Sequence, residues 1–96
     1  MTTTNNTIKK YELTTLVGEE APQEVIDKLT EKIKGYGKIT KIEDDGVKRL
    51  AYPILGREKA RYLFYNLELD DGVPAELSRN LGTDEEVIRY LLVRVN

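Results

Sequence analysis

The sequence predicts an α+β domain, a four-stranded antiparallel sheet carrying two helices on one face, in the chain order strand, helix, strand, strand, helix, strand. Three observations lead there. Two segments, Ile8 to Val17 and Arg61 to Leu69, alternate in character with the period of two that a strand imposes. Two others, Val25 to Ile33 and Val73 to Leu81, repeat apolar residues every three or four positions, as a helix with one buried stripe does. Finally, 96 residues at 40% hydrophobic and 33% charged content suit one core of two packed layers. Folding at this length removes roughly 60 to 68% of the chain's surface from water.

The elements follow in order. Residues 1–7, Met1 to Thr7, make a polar uncharged tail, expected to be flexible, ahead of a domain spanning 8–96. In the first strand Tyr11, Leu13, Thr15 and Val17 share one side, with Lys10, Glu12, Thr14 and Leu16 on the other. Gly18 ends it. Pro22 suits a first helical turn, where a missing N–H costs nothing, and Glu19, Glu20 and Glu24 favour the positive end of the helix dipole. Val25, Ile26, Leu29 and Ile33 form the stripe, and Gly35 caps it.

The second strand starts near Lys38, is interrupted at Asp44-Asp45-Gly46 and resumes from Val47 to Ile54. The interruption reads as a bulge in one long strand, since a hairpin there would leave the next segment without a partner. Pro53 assigns this strand to the sheet edge, because proline cannot donate to a central ladder. Leu55 to Ala60 read as a short polar connection. The third strand, Arg61 to Leu69, aims Leu63, Tyr65, Leu67 and Leu69 at the helices. Asp70-Asp71-Gly72 turn the chain, Pro74 opens the second helix, Val73, Leu77 and Leu81 line it, and Gly82 ends it. The last strand runs from about Glu86 to Val95. Right-handed crossovers then interleave two strand-helix-strand units into the ferredoxin-like βαββαβ arrangement, with the first and third strands central and one sheet face uncovered.

Composition narrows the chemistry. Without cysteine or histidine the chain has no disulfide, thiolate ligand, thiol nucleophile or histidine-based triad. The only serine, Ser78, therefore lacks an activating base. Asp44-Asp45 and Asp70-Asp71 sit beside turn glycines without calcium-loop spacing, and no glycine-rich phosphate cradle is present. No catalytic residue, metal site or cofactor is expected. A net charge of −2 gives no global positive field toward nucleic acid or lipid. The uncharged start resembles no secretory signal, and no apolar run approaches the ~18 residues of a membrane span. The chain reads as soluble and cytosolic, without a membrane or small-molecule partner.

Any polyanion contact must come from a local patch. The densest positive stretch holds Lys48, Arg49, Arg57, Lys59 and Arg61 against the single acid Glu58. It reads either as a solvated hairpin whose charges protect an edge strand or as a ridge meeting successive phosphates. Lys10, Arg89 and Arg94 are weaker candidates for the same role. Tyr62 and Phe64, on the face away from the helices, would make a stacking platform for bases or a docking surface for a protein. Lys59-Ala60-Arg61-Tyr62-Leu63-Phe64 lacks the glycines of an RNA-recognition motif, which favours the protein.

The string Arg49-Leu50-Ala51-Tyr52-Pro53-Ile54 resembles the bacterial small-subunit (30S) ribosomal protein S6 family. Tyr11-Glu12, Gly37, Gly46, the aromatic third strand and Val87-Ile88-Arg89 extend the resemblance over essentially the whole chain after the tail. It departs at Ala60 and Arg61, where members commonly carry glycine followed by an aromatic, and members often continue beyond the fourth strand. The resemblance implies a non-enzymatic domain that binds the central domain, or platform, of 16S ribosomal RNA together with ribosomal protein S18; the isolated chain is expected to be a monomer. Its protein-facing residues would then be Tyr52, Pro53, Ile54, Tyr62 and Phe64. The rival readings are an independent single-stranded RNA binder and a small ferredoxin-like enzyme such as an acylphosphatase, whose phosphate loop is not evident.

Overall fold

Six elements carry the chain, and a computed structural model describes them over residues 8–95; Met1 to Thr7, read as a tail, and Asn96 lie outside that range. They are β1 (Lys9–Val17), α1 (Gln23–Lys34), β2 (Lys38–Ile54), β3 (Arg57–Leu69), α2 (Val73–Gly82) and β4 (Val87–Val95). The strands form one sheet in the order β2-β3-β1-β4 with every neighbouring pair antiparallel. This is the βαββαβ arrangement expected from the element order, with β1 and β3 central and β2 at an edge.

Alternation decides which face is buried. Leu13, Val17, Leu63, Tyr65, Leu67 and Leu69 pack against Ile26, Leu29 and Ile33 of α1 and Leu77 and Leu81 of α2. Two polar contacts fix the helices to this layer and to each other. The hydroxyls of Tyr65 and Thr30 lie 3.0 Å apart, joining β3 to α1. The Asn80 amide donates to the Tyr36 hydroxyl, tying the end of α1 to α2. Thr15 lies in the same layer, fully buried, and its hydroxyl has no hydrogen-bond partner among the described residues.

The predicted bulge is present. Asp44 faces Leu63 and Gly46 faces Tyr62, so Asp45 is the extra residue. Gly46 takes φ 77°, and its N–H donates to Asp44 Oδ1 at 2.9 Å. A second, wider irregularity opens further along β2, where Leu50 to Pro53 stand against Glu58 alone. Pro53, lacking an N–H, falls in this unpaired stretch.

One expectation is corrected. Leu55 to Ala60 do not form a connection, because β3 begins at Arg57 and Ile54 pairs with Arg57 across a two-residue turn. Leu55 and Gly56 both take positive φ, 51° and 78°, the requirement of a type I′ hairpin turn whose twist matches the flanking strands. Asn-Gly is the usual signal for such a turn. Leucine at the first place hid it, and the consequence is that Arg57 and Lys59 stand on a strand.

Candidate partner and nucleic-acid interface

The hairpin of β2 and β3 outruns the rest of the sheet. Pairing of β3 with β1 stops at Arg61 opposite Val17, so Arg57 to Ala60 and the facing part of β2 project beyond it. The wide irregularity in β2 lies within this projection. There Leu50 and Ala60 bury themselves against Leu16 of β1, with Ile54, Tyr62 and Ile88 packed around them. A second, small apolar cluster thus lies on the face that the helices leave bare.

Beside it runs an apolar cleft of about 360 Å³, lined by Leu16, Leu50, Tyr52, Ile54, Tyr62 and Leu91, with Thr14, Ala51, Arg89 and Tyr90. Tyr52 and Leu91, on its opposite walls, remain 63% and 62% exposed, and Val93 continues the apolar strip along β4. Of the expected protein-facing residues, Tyr52, Ile54 and Tyr62 meet here. Phe64 lies one step along β3, its ring centroid 6.3 Å from that of Tyr62, and lines a neighbouring polar basin with Glu12, Thr14, Lys41, Glu43 and Asn66. Pro53 borders a different hollow, with Arg49 and Glu58. Sequence reasoning missed Leu16, Leu50 and Leu91. Leu16 left a signal, since it is the one apolar residue on the polar side of β1.

The predicted cations do not form one patch. Alternation along β3 puts Arg57, Lys59 and Arg61 on the side opposite Ala60 and Tyr62, and Arg49 stands across from Lys59. Lys48 points the other way, its ammonium 5.6 Å from the centre of the Tyr62 ring. Arg89 lines the cleft. Lys10 lies on the same face, six residues along β1 from the Leu16 that pairs with Arg89, a separation of roughly 20 Å. Arg94 pairs with Tyr11 and so belongs to the helix side.

Most of these charges are already partnered. Arg61 grips Asp44 through Nε at 3.2 Å and Nη2 at 2.5 Å, with the two side chains only 24% and 35% exposed. That hydrogen bond holds the Asp44 carboxyl below the usual carboxylate range, assisted by the Gly46 N–H against the effect of desolvation. Arg57 Nη1 donates to Glu20 Oε1 at 3.0 Å, and Lys48 meets Asp45 at 2.9 Å. Arg49 reaches Glu58 only at 3.8 Å, with both side chains more than 70% exposed. Lys59 has no ion pair among the described residues. Among those residues there is also no cluster of acids able to hold a metal ion, and no helix long and apolar enough to cross a membrane.

A family model described as ribosomal protein S6 matches residues 10–94. The chain is 36% identical over 92 residues to the small ribosomal subunit protein bS6 of Alkaliphilus metalliredigens, an alignment covering 92% of this chain and 98% of that protein. It is 32% identical over 91 residues to bS6 of Azorhizobium caulinodans, covering 90% of this chain but only 61% of that longer relative. The crystal structure of 30S ribosomal protein S6 from Thermotoga maritima superposes with a TM-score of 0.81 at 26% identity, covering 92% of this chain and 88% of that one.

Proposed function

Since the chain belongs to the ribosomal protein S6 family, structural proteins of the small ribosomal subunit and not enzymes, we propose that it binds the central domain of 16S ribosomal RNA jointly with ribosomal protein S18. Membership puts the chain on the ribosome, in the cytoplasm. The joint mode of binding rests on one observation: the positive stretch is largely neutralised from within, while the uncovered sheet face offers an apolar cleft. Of the five cations in that stretch, Arg57, Arg61 and Lys48 are held close by carboxylates of the same chain. At a net charge of −2 the isolated chain, a monomer, has little phosphate affinity of its own. A basic protein seated in the Tyr52–Leu91 cleft supplies the missing charge.

The polar basin next to the cleft argues against the open sheet as an independent platform for bases. Two carboxylates, Glu12 and Glu43, outnumber the one cation Lys41 in the basin beside Phe64 and disfavour phosphates there, and Lys48 already covers the Tyr62 ring. The test is affinity for a 16S central-domain fragment, measured for the chain alone, for S18 alone and for the two together. Tight binding by the pair and weak binding by this chain alone is the expected result. Strong binding of unpaired RNA by the chain alone, lost on Phe64→Ala, would favour the independent binder.

A further inference from the structure

The bend that follows β1 comes up against the start of β3. Ala21 N–H donates to Gly18 C=O at 3.0 Å, closing a tight turn that carries Glu20. The Glu20 carboxylate folds back over this turn and receives Arg57 Nη1 at 3.0 Å. Both groups lie directly on Gly18: a Cβ built there would stand 2.7 Å from Glu20 Oε2 and 3.0 Å from Arg57 Nη1. The position therefore has a guanidinium wall and a bare glycine floor, and an oxyanion fills it.

We propose that this corner between Gly18 and Arg57 is a phosphate-binding position, and that Glu20 occupies it as the chain's own substitute until an RNA phosphate takes its place. The inference rests on the RNA-binding reading given above and adds a position and an exchange to it. Carboxylate and phosphate oxygens accept the same guanidinium donors, so the exchange replaces one charge-assisted hydrogen bond by another. The two side chains are 38% and 67% exposed, and a surface pair of that kind contributes little to stability, so it yields readily. Arg61 differs, because its carboxylate partner also holds the Gly46 N–H of the bulge and is itself more shielded. The occupant also comes from afar: Glu20 and Arg57 are 37 residues apart, whereas Lys48 and Arg49 are paired within the hairpin. Displacing Glu20 leaves the hairpin intact. In the resting chain each group favours the charged form of the other, with the Glu20 carboxyl lowered and the Arg57 guanidinium raised by their mutual hydrogen bond.

The experiment is a double-mutant cycle read as affinity of the S18-paired chain for the 16S central-domain fragment at low salt. Glu20→Gln frees Arg57 and tightens binding about two- to fivefold, the range a surface ion pair spans. In an Arg57→Ala background the same substitution produces no gain. An affinity unchanged or weakened by Glu20→Gln, or a gain that persists without Arg57, would overturn the assignment while leaving RNA binding in place. Absence of RNA binding by the unsubstituted pair would remove the functional reading and this position with it.

Discussion

Removing Arg49 and Lys59 together should change the salt dependence of RNA binding far more than removing Arg61, although all three stand on one hairpin. The difference follows from their partners. Lys59 has no ion pair among the described residues, and Arg49 is 73% exposed and only loosely opposed by Glu58 at 3.8 Å. Arg61 is closed onto Asp44 by two hydrogen bonds. Each phosphate contact contributes about 0.7 to 0.9 to the slope of log K against log salt, the smaller figure for single strands. The double substitution to alanine should therefore flatten the slope by about 1.4 to 1.8. Arg61→Ala should leave it nearly unchanged and act on the fold instead, because Asp44 loses the partner that fixes the bulge. After allowance for solvent screening, that loss amounts to about 1 kcal/mol. The assay is fluorescence anisotropy of labelled central-domain RNA titrated with the S18-paired chain at several salt concentrations, alongside a thermal melt of each variant. A slope lowered equally by Arg61→Ala, or unmoved by the double substitution, would refute the division of these cations into free and committed.

Further outcomes follow from the same structure. Thr15→Val removes a fully buried hydroxyl without a partner among the described residues and should stabilise the protein by about 1 kcal/mol, a rise of about 4–8 °C in Tm; a lower Tm would show that the hydroxyl is bonded. Leu55→Asn puts a residue that tolerates positive φ into the hairpin turn and should add about 0.5–1 kcal/mol in chemical denaturation, with no gain if the turn is not left-handed at that place. Asp44 and Asp84 both titrate below the usual carboxylate range, the first through Arg61. Burial pushes the second up, but Lys32 and the Glu86 N–H together outweigh it. A carboxylate whose folded pKa lies below its unfolded one stabilises fully above the unfolded pKa and loses that effect as pH falls through the folded one. Tm should therefore hold above about pH 5 and drop below about pH 4, less steeply in Arg61→Ala than in the unsubstituted chain.

Much of the fold could be read from local pattern because its causes are local. Alternation in β1 and β3, the two helical stripes and the Asp-Asp-Gly interruption each express a short-range rule, and each appears in place. The Leu55-Gly56 turn escaped because its sequence lacks the residue that such a backbone prefers. The candidate site was legible only in part. The run of cations was visible as charge, but which of them are neutralised depends on partners distant in the chain, Asp44 for Arg61 and Glu20 for Arg57, and no spacing rule pairs them. The apolar cleft is assembled from β1, β2, β3 and β4, and its floor, Leu16, looked like an exception to a pattern until Leu50 came to rest on it.

The proposed seating of S18 in the Tyr52–Leu91 cleft is open to direct measurement with purified components. Both residues are well exposed, so Tyr52→Ala and Leu91→Asp should melt close to the unsubstituted chain. By titration calorimetry the unsubstituted chain should bind S18 and, in its company, the central-domain RNA, whereas each variant should bind S18 at least tenfold more weakly, the loss expected for a buried anchor of an interface. Full S18 affinity in both folded variants, or no association of S18 with the unsubstituted chain, would contradict it.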